Sequence, residues 1–233
     1  MKKLTFLLIA LTIISCGKKE ADLTVTGTIK GLKKGTVYLQ QLKDSSLVVL
    51  DSMVINGEQS FILQSTLEEP EVLLLMLDKN SSEESRIAFF ADKGITEINA
   101  TLKDFPFKHT IKGSSQQEKY TEFKNMISQF NNKNLDIIKA KLEAQVSGDT
   151  AEANAKTAEA NSLLKRKYLY AINFAINNKD SEVAPYIAIS EIYDANTKFL
   201  DTIYKALPQH VANSKYGLEL DKFIKQRKEE DKQ

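Results

Sequence analysis

The hydrophobic period of this chain changes once, at Gly113, and the change sets what each part can fold into. Before it, apolar residues recur at every second position; after it, at every third or fourth. The first regime opens at Leu23. Leu23, Val25 and Ile29 alternate with Thr24, Thr26, Thr28 and Lys30, the pattern of a half-buried strand. Gly31 and Gly35 bracket a turn, and Thr36–Gln41 resumes as strand. Leu47–Ile55 and Gln59–Thr66 flank Asn56-Gly57, a hairpin signal because both residues tolerate positive φ. Beyond Pro70, Val72–Leu77 is continuously apolar, as in a central strand covered on both faces. Arg86–Ala91, Ile95–Leu102 and Phe107–Ile111 follow, with Asp92-Lys93-Gly94 as a turn. About eight short strands at this spacing predict an antiparallel, jelly-roll-like β-sandwich over residues 23–112.

Residues 113–233 read as helices. Ser114 with Gln117, and Ser115 with Glu118, each fit a capping box, in which a hydroxyl caps the helix start and Gln or Glu reaches back. Tyr120, Phe123, Ile127, Phe130, Ile137, Ile138 and Leu142 recur at helical spacing. Ser147-Gly148-Asp149 breaks this helix, and Asp149 with Glu152 caps the next, over Ala151–Lys179, whose second half carries the apolar Leu164, Leu169, Ile172 and Ile176. Two helices of about 30 residues extend about 45 Å at 1.5 Å per residue, which predicts a long hairpin with its tip near Gly148. A shorter helix follows Asp180-Ser181, with Pro185 in its first turn. Thr197–Leu207 is stopped by Pro208, and Lys215–Arg227 carries Leu218, Leu220, Phe223 and Ile224 on its inward side. The fold class expected is α+β, sandwich first and an all-α region after it.

The first residues carry a separate signal. Lys2 and Lys3 precede an apolar run, Leu4–Ile14, of about 11 residues, too short to span a bilayer comfortably. Its ending, Ile13-Ile14-Ser15-Cys16, resembles the lipobox of bacterial lipoproteins. An ordinary cleaved signal peptide, or a chance cysteine, is the competing reading. The resemblance implies a signal peptide over 1–15, lipidation at Cys16 and a tether over 16–22. Each buried CH₂ of an acyl chain contributes roughly 0.8 kcal/mol, so several chains hold a protein at a membrane without a spanning helix. The implied location is the cell envelope. Gly17 after the cysteine favours the outer membrane, with its periplasmic and surface faces both open.

Charge and cysteine count narrow the chemistry. The chain holds 32 basic and 31 acidic residues, and loss of Lys2 and Lys3 with the signal leaves a net charge of −1. Such a balance argues against nucleic acid as a partner. Cys16 is the only cysteine, so a lipid on it removes disulfides, dithiol redox chemistry, a cysteine nucleophile and cysteine metal sites from this chain.

The segments "TVTGTIKGLKKGTVYLQ", "DSMVINGEQSFIL", "FFADKGITEINATL", "IKGSSQQEKYTEF" and "KYGLELDKFI" together resemble the uncharacterised N-terminal region of Bacteroidota lipoproteins. In that family the region commonly precedes a thioredoxin-like domain of the TlpA or ResA type. The resemblance spans about Leu23 to Ile224. Family members of the oxidoreductase type continue into a domain with a Cys-x-x-Cys pair, which has no counterpart among these residues. The redox activity is therefore carried over to no residue here. What the resemblance implies is an accessory module, with a separate thioredoxin-like protein as a partner.

The remaining constellations are weak. His109 and His210 stand far apart, outside any His-x-x-x-His or Glu-x-x-His pattern, and predict no metal site. Glu68-Glu69, Glu83-Glu84 and Glu229-Glu230 lie beside turns or in the tail and read as solvated charge. Lys33-Lys34 reads as a solvated turn, and Lys165-Arg166-Lys167 as a wet helix face that would also suit an acidic partner. Aromatic residues concentrate where strands give way to helices. Most are expected in the seam between the two regions. Phe89, Phe90, Phe105 and Phe107 are the candidates for an exposed binding surface. The expectation is a non-enzymatic, membrane-anchored binding or accessory protein with no cofactor. A hydrolase working through facing carboxylates is the less favoured alternative.

Overall fold

The structure, a computed structural model, describes residues 21–43, 45–78 and 86–230. The signal segment, Cys16 and Glu83-Glu84 lie outside the described residues. Among the described residues, eight strands form two four-stranded sheets. One has the order β4 (Ser60–Ser65), β1 (Leu23–Lys30), β7 (Gly94–Thr101), β8 (His109–Lys112). The other has the order β3 (Ser46–Asn56), β2 (Lys34–Lys43), β5 (Glu71–Leu77), β6 (Arg86–Ala91). Six helices follow among the described residues, giving the α+β arrangement expected.

Alternation explains the sandwich. Leu23, Val25 and Ile29 of β1, Val37 and Leu39 of β2, and Leu73, Leu75 and Leu77 of β5 point between the sheets and are buried. The opposite face of β1 presents its threonines. One pairing is parallel: β1 lies beside β7, with Leu23 opposite Gly94 and Lys30 opposite Thr101. Asn56-Gly57 does not close a hairpin ladder. β3 and β4 go to different sheets, so this turn rounds a corner of the sandwich, because the inward pair Phe61 and Leu63 aligns β4 with β1. The free edge of β4 is capped by side chains of β3: Gln64 N donates to Asp51 Oδ2 at 2.7 Å and Ile62 N to Met53 Sδ at 3.4 Å.

At the change of period, Gly113 has φ +109°, and a Cβ there would sit 2.0 Å from the Ile95 carbonyl oxygen. Only glycine permits that reversal into α1 (Ser115–Val146). Ser114 Oγ caps α1 by accepting from Gln117 N, and Asp149 Oδ1 caps α2 (Thr150–Asn177) by accepting from Glu152 N. α3 (Val183–Ser190), α4 (Thr197–Ala206), α5 (Gln209–Ala212) and α6 (Lys215–Glu230) complete the body.

Two cores result. One fills the sandwich. The other gathers α1, α2, α3, α4 and α6 against the outer face of β5 and β6, through Val72 and Phe90. From α1 the second core takes Tyr120, Phe123 and Ile127, and from α2 it takes residues from Ala171 onward. Ile137, Ala144, Ala153 and Leu163 are buried outside both cores, between α1 and α2 alone. The two helices therefore form an arm only two helices thick toward Gly148. That thinness corrects part of the expected packing. Ile138, Leu142, Leu164 and Leu169 stand exposed, because each helix of such an arm can cover only one stripe. Leu218 of α6 is exposed as well.

Candidate functional site

The four aromatic candidates divide. Phe89 and Phe90 are neighbours on β6, so their side chains leave opposite faces of the sheet. Phe89 fills the sandwich core and Phe90 the helical core, each fully buried, which removes both from any binding surface. Phe105 packs half-buried against the sandwich core. Phe107 is exposed; it lies in the turn before β8, which starts only at His109. Phe107 and His109 border a cleft of about 600 Å³ between β8 and α1, with Ala88, Lys112, Thr121 and Lys124. His109 Nδ1 lies 2.6 Å from the Pro106 carbonyl. Cys16 is outside the described residues.

Phe90 anchors an aromatic seam. Its ring meets Tyr120, Tyr186 and Tyr216 edge to face at centroid distances of 5.5–6.2 Å, and Tyr186 meets Tyr216 at 4.9 Å. Burial pushes the Tyr120 and Tyr216 hydroxyls well above the usual phenol range, and neighbouring Tyr186 adds to the rise. Val72 N of β5 donates to Tyr216 Oη at 2.8 Å. Phe90 N, on edge strand β6, donates to Gln117 Oε1 at 2.6 Å, while Gln117 Nε2 donates to Thr121 Oγ1. Gln117 thus forsakes the reciprocal half of the capping box and serves the sheet edge instead.

Beside the seam, carboxylates gather at the start of α6. Lys215 N donates to Glu69 Oε2 at 2.7 Å, and Lys215 Nζ pairs with Glu71 Oε2 at 2.5 Å. Gln41 Nε2 also donates to Glu71, at 2.6 Å. Glu69 is therefore not solvated charge: it satisfies a helix N-terminus, where negative charge is favoured. A cleft of about 400 Å³ opens here, lined also by Leu42, Leu50, Thr66 and Glu219. Partial burial raises the Glu219 carboxyl above the usual range; Lys215 opposes the rise, and Glu71 and Glu69 add to it. Glu69 and Glu71 are both engaged by Lys215, an arrangement that ties helix to sandwich rather than leaving a free base. Gln117 was visible in sequence as a capping residue but not as a sheet partner, and Glu71 carried no signal at all.

The arm has two unlike sides. On one, Gln129, Lys133, Asp136, Lys156 and Glu159 line the groove between the helices, with Lys156 bridging Glu152 and Glu159. On the other, Asn131, Asn134 and Leu164 line it. Leu135, one turn on from Asn131, begins a run with Ile138, Leu142 and Val146 at successive steps of three or four, and all four are exposed. Lys165 and Arg166 remain exposed, and Lys167 reaches Asn131 Oδ1 at 3.4 Å.

Among the described residues, no group of three or more His, Cys, Asp and Glu is placed to hold a metal ion, and no helix is long and apolar enough to cross a membrane. His109 and His210 are exposed, at a strand start and a short helix. No curated protein matches this chain. Residues 23–120, the sandwich and the opening of α1, match a family described as a domain of unknown function, DUF4369, and the arm lies beyond the matched region.

Proposed function

We propose that this chain is an exported, lipid-anchored binding protein of the bacterial cell envelope that has no catalytic role of its own. It holds a partner protein against the apolar side of its helical arm. One observation carries the reading: the unpartnered run Leu135, Ile138, Leu142, Val146 on an arm whose opposite side is polar and ion-paired. Fully burying one such side chain stabilises by about 1.5–3 kcal/mol, and this arm forgoes that gain on several of them. A partner presenting an apolar helix completes the arm into a bundle and recovers it. The lipobox-like Cys16 supplies the anchor, and the engagement of Glu69 and Glu71 by Lys215 supports a binding role over hydrolysis.

The test places a photo-crosslinking amino acid at Leu142, and separately at Asp136 on the polar side, in cells of the native host. The expected result is one adduct of defined mass from position 142, none from 136, and loss of that adduct with Ile138→Ser. Equal adducts at both positions, or none, overturn the reading. A second version names the partner as a thioredoxin-like envelope protein, supported by the resemblance of the segments from Leu23 to Ile224 to the TlpA- and ResA-type lipoproteins. Identification of the adduct decides between that partner, another protein and a second copy of this chain.

A further inference from the structure

β2 and β3 outrun the sheet they belong to. The last pairing of β2 with β5 is Gln41 opposite Leu73, yet β2 and β3 continue through Leu42–Leu47 and Lys43–Ser46. A register shift between Leu39 and Gln40 marks a bulge just before this overhang, and bulges bend a strand out of its sheet. Leu42, Leu47, Val48 and Val49 are all exposed on and beside it, from 39% to 56%. The ladder alternates, so Leu42, Leu47 and Val49 occupy one face and Val48 the other. An apolar overhang with both faces wet is a liability in water.

Its position gives it an occupant. β1 enters the sandwich at the same pole: Leu23 lies opposite Ser65 and Gly94, and Glu71, hydrogen-bonded to Gln41, lies opposite Ala91. The entry is pinned, since Asp22 accepts from Leu67 N at 2.6 Å and pairs with Lys93 at 2.9 Å. Six residues, Gly17–Asp22, separate that point from Cys16. At 3.3–3.6 Å per residue they reach about 20 Å at most, so a lipid on Cys16 keeps this pole within about 20 Å of the bilayer. Charge at this pole is mixed: Lys43 stands on the overhang, Glu69 and Glu71 are turned onto Lys215, and Glu68 and Glu219 line the cleft beside Leu42.

We infer that Leu42, Leu47, Val48 and Val49 insert into the membrane interface as a second contact beside the lipid anchor. The inference rests on the lipid-anchored reading of Cys16. Two contacts fix the tilt of the sandwich over the membrane, where a tether alone leaves it free to swing.

The experiment uses the full chain, processed and lipidated, in vesicles of phosphatidylethanolamine and phosphatidylglycerol. A polarity-sensitive fluorophore is attached at Val48→Cys or at Val54→Cys, Val54 being exposed toward the opposite end of β3. The expected result is blue-shifted emission at position 48, quenched by doxyl-labelled lipids, with emission at 54 unshifted and unquenched. Equal, water-like emission at both positions, with an intact mass showing acylated Cys16, overturns the inference and leaves the anchor standing. An intact mass without acyl chains overturns anchor and inference together. Blue-shifted emission at 48 without vesicles overturns it in favour of a contact between copies.

Discussion

Replacing Gln117 by methionine tests how helix and sheet are joined. The two side chains have similar length and volume, so the substitution leaves little cavity. It does remove the acceptor for Phe90 N, a 2.6 Å bond accepted by a side chain whose residue is 5% exposed. The edge-strand N–H is then buried without a partner, at a cost of about 1–3 kcal/mol. The lost bond to Thr121 adds little, because the Thr121 side chain reaches water. Against a typical stability of about 5–15 kcal/mol this is a sizeable fraction. Urea titration reads it as a lower midpoint at unchanged slope. Native-state hydrogen exchange reads it locally, as roughly 5- to 150-fold faster exchange of the Phe90 amide where local opening governs that exchange, since 1.36 kcal/mol is tenfold. Gln117→Glu keeps an acceptor and costs less at acid pH, where the buried carboxyl is neutral. An unchanged midpoint together with unchanged Phe90 protection in Gln117→Met refutes the reasoning, and the seam is then held by aromatic packing alone.

Glu219 gives a pH signature. Its carboxyl is raised in the folded state, so the folded protein holds that proton more tightly and loses stability as pH rises through the folded value. Glu219→Gln is expected to melt higher than the parent at pH 7 and to converge with it below the ordinary carboxylate range; a difference that persists at acid pH contradicts this. Gly113→Ala forces a β-carbon to 2.0 Å from the Ile95 carbonyl at φ +109°, where strain alone costs about 1–3 kcal/mol, so its urea midpoint is expected to fall sharply. A midpoint within error of the parent removes Gly113 as the pivot between the two regions.

Local patterns carried much of this fold. Alternation named the inward residues of β1, a continuous apolar run marked β5 as a strand covered on both faces, and Ser114, Asp149 and Gly148 marked where α1 begins, where α2 begins and where the chain turns back. Patterns that depend on what packs opposite carried less. Phe89 and Phe90 look alike in sequence, and only the presence of a core on each side of β6 makes one a sandwich residue and the other a helical one. Ile138 and Ile137 are likewise adjacent and alike, yet with two helices in the arm a single stripe is covered, and Ile137 takes it. Asn56-Gly57 satisfied the hairpin rule while β4 paired elsewhere, because register is decided by the buried face and not by the turn. Glu71 was invisible because its partner, Lys215, lies 144 residues away.

The place of β1 has a mechanical consequence. It is an inner strand of its sheet, paired with β4 from Leu23 to Thr28 on one side and with β7 from Leu23 to Lys30 on the other. Its first residue is also where the chain arrives from the N-terminus. A pull on that end runs along the strand, across its ladder bonds, so two rows of them share the load at once. The same pull on an edge strand would meet one row, with nothing behind it. Drag on a body held at this end is thus met by the sheet as a whole before any single turn or helix yields.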